Sequence, residues 1–179
     1  MFIAKRTLWT ISLLLASLAI QAETPQSPNL GRPATPTEIT AWDIDIAPDG
    51  AGLPPGRGTI AAGEALYNTR CEICHGPEGI GGSADALAGA EESLTDKWPD
   101  KTIGNYWPYA TTLFDFIRRA MPLDTPGSLS ADEIYALTGY LLYLNGIIDE
   151  DKIVDADSLR KVTMPNQNGF LTQYPESER

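Results

Sequence analysis

The clearest periodic stretch of the 179-residue chain lies between Thr111 and Ala120. Apolar residues recur at Leu113, Phe114, Ile117 and Met121, while Asp115, Arg118 and Arg119 fall on the other side. This spacing predicts a short amphipathic helix that Pro122 ends. A further helix is announced by its cap. In Ser130-Ala131-Asp132-Glu133 the hydroxyl can accept from the Glu133 amide while the Glu133 carboxylate reaches back. Ile134, Leu137, Leu141 and Leu144 then line one face as far as Asn145-Gly146, a left-handed stop. Upstream, Ala61, Ala62, Ala65, Leu66 and Tyr67 give residues 60–74 a helix former's composition, read as one helix. No segment with strand periodicity competes, so the fold class expected is all-α.

The flanks have a different character. Between Glu23 and Gly58 there are seven prolines and five glycines, with few apolar residues beyond Trp42, Ile44 and Ile46. Such a segment cannot form a core by itself. It is either an extended arm, draped over the domain or docked on a partner, or a disordered linker. From Asp149 the composition turns polar again. The organisation expected is therefore an arm over 23–58, a domain over 59–148 and a C-terminal extension over 149–179. Residues 1–22 carry Lys5 and Arg6, then an apolar run, and end at Ala22 before Glu23-Thr24-Pro25. They read as a secretory signal peptide whose apolar stretch is short for a membrane span. No span is expected after cleavage; an uncleaved anchor is the alternative.

Both cysteines and the only histidine fall within Cys71-Glu72-Ile73-Cys74-His75. This is the arrangement for covalent attachment of one c-type haem, whose two vinyl groups take the two thiols while the next imidazole reaches the iron. Structural zinc wants four ligands, and the chain has only three Cys and His residues in total. A thioredoxin-type dithiol belongs near a strand-helix crossover, absent from residues 60–80, and a disulfide scaffold needs more cysteine. The Gly- and Ala-rich stretch Gly76–Gly89, with Gly79, Gly81 and Gly82, suits a loop whose backbone passes close to a flat ring. Export agrees with such a cofactor, which in bacteria is attached outside the cytoplasm, and points to the periplasm.

Without a second histidine, the other axial position falls to methionine, another weak ligand, water or nothing. Met121 opens a Pro/Gly loop (Pro122, Pro126, Gly127) that can strap the face opposite His75; its alternative role is to complete the apolar helix stripe. Met164 lies in the tail and is the runner-up. A His/Met iron is six-coordinate, holds a raised potential and favours electron transfer over chemistry at the metal. Of the aromatic cluster Trp98, Tyr106, Trp107, Tyr109 and Phe114, some members are expected to wall the haem pocket. Trp107 or Tyr109 can donate to a propionate, although ordinary core packing serves each of them as well.

The formal balance is 13 basic against 24 acidic residues, a net charge of −11. Such a field argues against nucleic acid and anionic lipid and suits a basic protein partner; it also simply keeps an exported protein soluble.

Residues 60–146 resemble a class I cytochrome c. The carriers are the Cys71–His75 motif, Met121-Pro122, and the pairing of Gly63 and Tyr67 with Leu137 and Tyr140 between the first and last helices. Fold and iron ligands follow from that resemblance. One departure is that Asp85 or Ala86 stands where the family has a proline that supports the proximal histidine. A closer resemblance rests on longer runs: Gly31–Pro36, Trp42-Asp43-Ile44, Gly52–Gly56, Lys101–Gly104, Tyr106–Asp115, Arg118–Pro122, Leu141–Gly146 and Met164-Pro165-Asn166. These are similar to the cytochrome subunit (SoxD) of Sox-type sulfur or sulfite dehydrogenases. That family implies a molybdenum-cofactor subunit as electron donor and a soluble cytochrome c as acceptor. Its members often carry two haems, whereas this chain has one attachment motif. A relative serving a different periplasmic dehydrogenase, or a haem enzyme or sensor with an open iron site, are the other readings.

Overall fold

A computed structural model describes residues 30–90 and 94–171. The signal-peptide reading of residues 1–22 lies outside the described residues. The chain divides into two units, one up to Trp42 and one from Asp43 onward. The described part of the first holds a single helix, α1 (Pro36–Trp42), with no buried residue.

The second unit is dominated by helices: α2 (Ile60–Arg70), α3 (Glu72–His75), α4 (Ala110–Ala120) and α5 (Ala131–Leu144), followed by a short α6 (Ala156–Leu159). The helix expected over 60–74 breaks at Cys71, whose φ of −119° departs from the usual helical value of about −63°. The Cys71 carbonyl then receives the amides of both Cys74 and His75, which starts a separate turn. Two three-residue strands, β1 (Arg57–Thr59) and β2 (Ile153–Asp155), pair antiparallel with Gly58 opposite Val154. A ladder this short has no periodicity to detect.

Helix α5 is the axis of the core. The capping box forms as expected, with the Ser130 hydroxyl accepting from the Glu133 amide and the Ser130 amide donating to the Glu133 carboxylate. Every residue from Ile134 to Leu142 is buried, so this helix is enclosed on all sides rather than amphipathic. Helix α2 crosses it closely. A Cβ on Gly63 would meet the Ala136 carbonyl and lie 2.8 Å from Tyr140 Cβ, and the Tyr67 and Tyr140 rings stand 5.4 Å apart. Helix α4 packs its stripe (Leu113, Phe114, Ile117) on another side, where the Phe114 and Tyr135 rings are 4.5 Å apart. Burial of each such large side chain is worth about 1.5–3 kcal/mol.

The flanking segments also reach this core. Ile46 is buried, while Arg118 donates to the Ile44 carbonyl at 3.2 Å and Thr111 to that of Pro48 at 3.0 Å. Downstream, Val154, Leu159 and Met164 are all buried, and Asn166 donates 2.7 Å to the Tyr106 carbonyl. Sparse apolar anchors and polar side chains gripping backbone therefore hold the chain ahead of β1 from Asp43 on, and the chain after α5 as far as Asn166. No helix among those residues is long and apolar enough to cross a membrane.

Candidate haem-binding site

The attachment motif forms the exposed turn α3. Cys71 is half-buried at the junction with α2, Cys74 is exposed, and Ile73 is 88% exposed between them. No disulfide joins them. Burial pushes the Cys71 thiol up to about 11, with Arg70 opposing and Cys74 adding to the rise, so the unmodified side chain is a neutral thiol at physiological pH.

The His75 ring is held through a hydrogen bond to the backbone. Its Nδ1 lies 2.8 Å from the Asp85 carbonyl oxygen, which can only accept, so Nδ1 donates and Nε2 is the nitrogen left for a ligand. That is the tautomer and orientation an iron ligand needs. The proline absent from this region is not required for the bond, because the acceptor is a backbone carbonyl. Asp85 is placed for this by the loop after α3, which folds back on the motif: the Ala84 amide donates to the Cys74 carbonyl at 2.9 Å and the Gly81 amide to that of His75 at 2.8 Å. The approach demands glycine. Gly76 has φ +74°, and a Cβ there would strike the Gly81 carbonyl.

Two further contacts were not visible in residue type alone. Tyr67, expected only to pack, also donates its hydroxyl to the Gly76 carbonyl at 2.8 Å, and burial pushes that hydroxyl up to about 12. Arg70, immediately before the motif, donates to Thr125 Oγ1 at 3.2 Å and Ser128 Oγ at 3.4 Å. It thereby ties the end of α2 to the loop that follows Met121.

Met121 forms the C-cap of α4, half-buried against the core, and its amide donates to the Ile117 carbonyl. Met164 is 2% exposed and belongs to the core cluster. The expected aromatic cluster is dispersed. Trp98 is 82% exposed beneath Lys97, Phe114 is core, and Tyr106 pairs with Phe170. Trp107 is half-buried, edge-on to Phe116 at 5.6 Å, and Tyr109 is half-buried at the N-cap of α4.

The donor set fits a porphyrin-borne iron. Two thiols flank an exposed turn, an imidazole follows with one nitrogen already committed, and a glycine-lined loop lets backbone approach. Among the described residues no three His, Cys, Asp or Glu side chains come together to hold a bare metal ion.

Comparison with known proteins agrees with this geometry. The cytochrome c family profile matches residues 60–145. A chain in the crystal structure of the sulfane dehydrogenase SoxCD from Paracoccus pantotrophus is 44% identical and superimposes with a TM-score of 0.74, over 85% of this chain and 74% of that one. No curated protein sequence matches.

Proposed function

The chain belongs to the class I cytochrome c family, and from that premise we propose that it is a periplasmic electron relay. It takes electrons from the molybdenum-cofactor subunit of a sulfur or sulfite dehydrogenase and passes them to a soluble cytochrome c. The observation that carries this reading is the reach of the likeness to the SoxCD chain. At 44% identity it covers 85% of this chain, well beyond residues 60–145 that the cytochrome c family profile matches.

When bound, a single haem c supplies one-electron chemistry, its iron moving between the ferric and ferrous states. The chain's residues supply the setting. Cys71 and Cys74 anchor the group through thioethers, and His75 offers Nε2 to the iron while Asp85 holds the opposite nitrogen. Met121 is the second ligand in this reading. Its half-buried place at the end of α4 supports that role, whereas the Met164 thioether is consumed by packing in the core. A closed His/Met pair leaves no position for a substrate, so oxidation of a sulfur compound belongs to the partner. Trp107 and Tyr109 remain candidates for the wall of the pocket. The net charge of −11 favours a basic acceptor.

Native purification tests the proposal. A molybdenum-containing subunit is expected to co-purify, and sulfite is expected to reduce the haem only in its presence. Reduction by a different dehydrogenase would move the protein to another electron donor. A holoprotein that binds no such subunit and reacts directly with small ligands at the iron would favour the enzyme or sensor reading.

A further inference from the structure

Residues 30–42 carry one helix, α1, led in by residues 30–35. Leu30, Ile39 and Trp42 are 87%, 53% and 84% exposed, and no residue of α1 is buried. A seven-residue helix without packing is marginal in water. This one is held by its start instead. The Thr35 amide donates to the Glu38 carboxylate at 2.8 Å, the Glu38 amide to the Thr35 hydroxyl at 3.3 Å, and Arg32 binds both Glu38 oxygens. Arg32 first, and then Thr35, keep the Glu38 carboxyl down at about 2, so the clamp persists through the ordinary acid range.

The result is a preformed display. Ile39 and Trp42, three residues apart, share a face of α1, which is the spacing by which amphipathic helices enter grooves. Because the clamp is local, the cost of ordering the segment is met before any partner arrives. The occupant can also be argued. The likeness to the SoxCD chain covers 85% of this chain, yet Asp43–Arg179 is only roughly three quarters of it, so the aligned part takes in residues ahead of Asp43. The segment is thus shared with a chain that works within a dehydrogenase. A second copy of this chain is the poorer occupant, since each carries a net charge of −11.

We propose that residues 30–42 are the segment by which this cytochrome grips the catalytic subunit of its dehydrogenase, with Leu30, Ile39 and Trp42 seated in an apolar groove on that subunit. The proposal rests on the functional reading above. The test uses full-length holoprotein and the molybdenum subunit that co-purifies with it, with affinity measured by calorimetry. Trp42→Ala and Ile39→Ala are each expected to weaken binding by about tenfold or more, the size typical of a buried apolar anchor. Glu38→Ala, which keeps the apolar side chains but opens the clamp, weakens it in the same direction by less. The haem potential and the unfolding temperature of the cytochrome domain stay at wild-type values. Wild-type binding that survives all three substitutions overturns the proposal and leaves the functional reading standing. A wild-type protein that neither binds the subunit nor is reduced by it overturns both. Self-association of the wild type, abolished by Trp42→Ala, overturns it in favour of a second copy.

Discussion

The Tyr67 hydroxyl donates to the Gly76 carbonyl across 2.8 Å, and so spans the whole of the Cys71–His75 motif from one side to the other. Tyr67 is fully buried, so replacing it with phenylalanine leaves the Gly76 carbonyl without its donor. Tyr67→Phe is expected to cost about 1–3 kcal/mol, read as the change in guanidinium unfolding of the holoprotein. The bond also carries a pH signature. Burial raises the folded hydroxyl to about 12, above its value of 10.0 in water. Its contribution is therefore complete below about pH 10 and lost as the pH rises towards 12, because only the unfolded chain releases the proton in that window. The alkaline slope of stability should be shallower in Tyr67→Phe; an unchanged slope would assign it to another group.

Local signals were readable and long-range ones were not. The stripe Leu113, Phe114, Ile117 marked α4 to within one residue, and Ser130 with Glu133 marked the start of α5, because both are written within a few turns of chain. The haem motif was legible for the same reason. The break at Cys71 was not, since Cys, Glu and Ile are all compatible with a continued helix and the interruption depends on the loop that folds back from Gly81 to Asp85. Strand β1 pairs with residues almost a hundred positions later, and Ile46, Val154 and Met164 are buried from short stretches with no helical apolar stripe, Val154 next to an exposed Ile153. Their burial is decided by what α4 and α5 offer them. The support of the histidine comes from the Asp85 carbonyl, a backbone group that every residue type carries and that residue identity therefore does not mark.

Gly63 tests the crossing of α2 with α5. In a solvent-facing helix, glycine to alanine gains about 0.5–1 kcal/mol of helix propensity. Here the added Cβ would run into the Ala136 carbonyl and stand 2.8 Å from Tyr140 Cβ. Backbone cannot yield as a side-chain tip can, so the steric term wins and Gly63→Ala is expected to destabilise by about 1–3 kcal/mol net. Thermal unfolding of the holoprotein measures it. A rise in melting temperature would mean that the helices part freely and that the close crossing is not what holds α2 in place.

The cap of α5 sets an acid limit. Hydrogen bonds from the Ser130 hydroxyl and amide lower the Glu133 carboxyl below its ordinary value of 4.5. A depressed folded value means that the contribution is present above the unfolded value and lost as the pH falls through the folded one. Stability should therefore decline below about pH 4.5 in a way that Ser130→Ala reduces, while at neutral pH the same variant loses about 1 kcal/mol of cap energy. Chemical unfolding at pH 7 and pH 4 separates the two effects. Equal losses at both would place the acid sensitivity elsewhere.

The two methionines are expected to fail in opposite ways. Met121 closes α4 half-buried, just ahead of the loop that Arg70 latches through Thr125 and Ser128, so its loss should register at the iron rather than in the core. Met121→Ala is expected to abolish the near-infrared charge-transfer band of the ferric protein and to lower the reduction potential, because a thioether ligand favours the ferrous state. Met164 is 2% exposed among core side chains, and Met164→Ala removes packing there. It should cost about 2–5 kcal/mol in unfolding and leave the band in place. If instead Met164→Ala erases the band and Met121→Ala keeps it, the ligand assignment reverses. The tail after α6 would then have to leave the core to reach the haem.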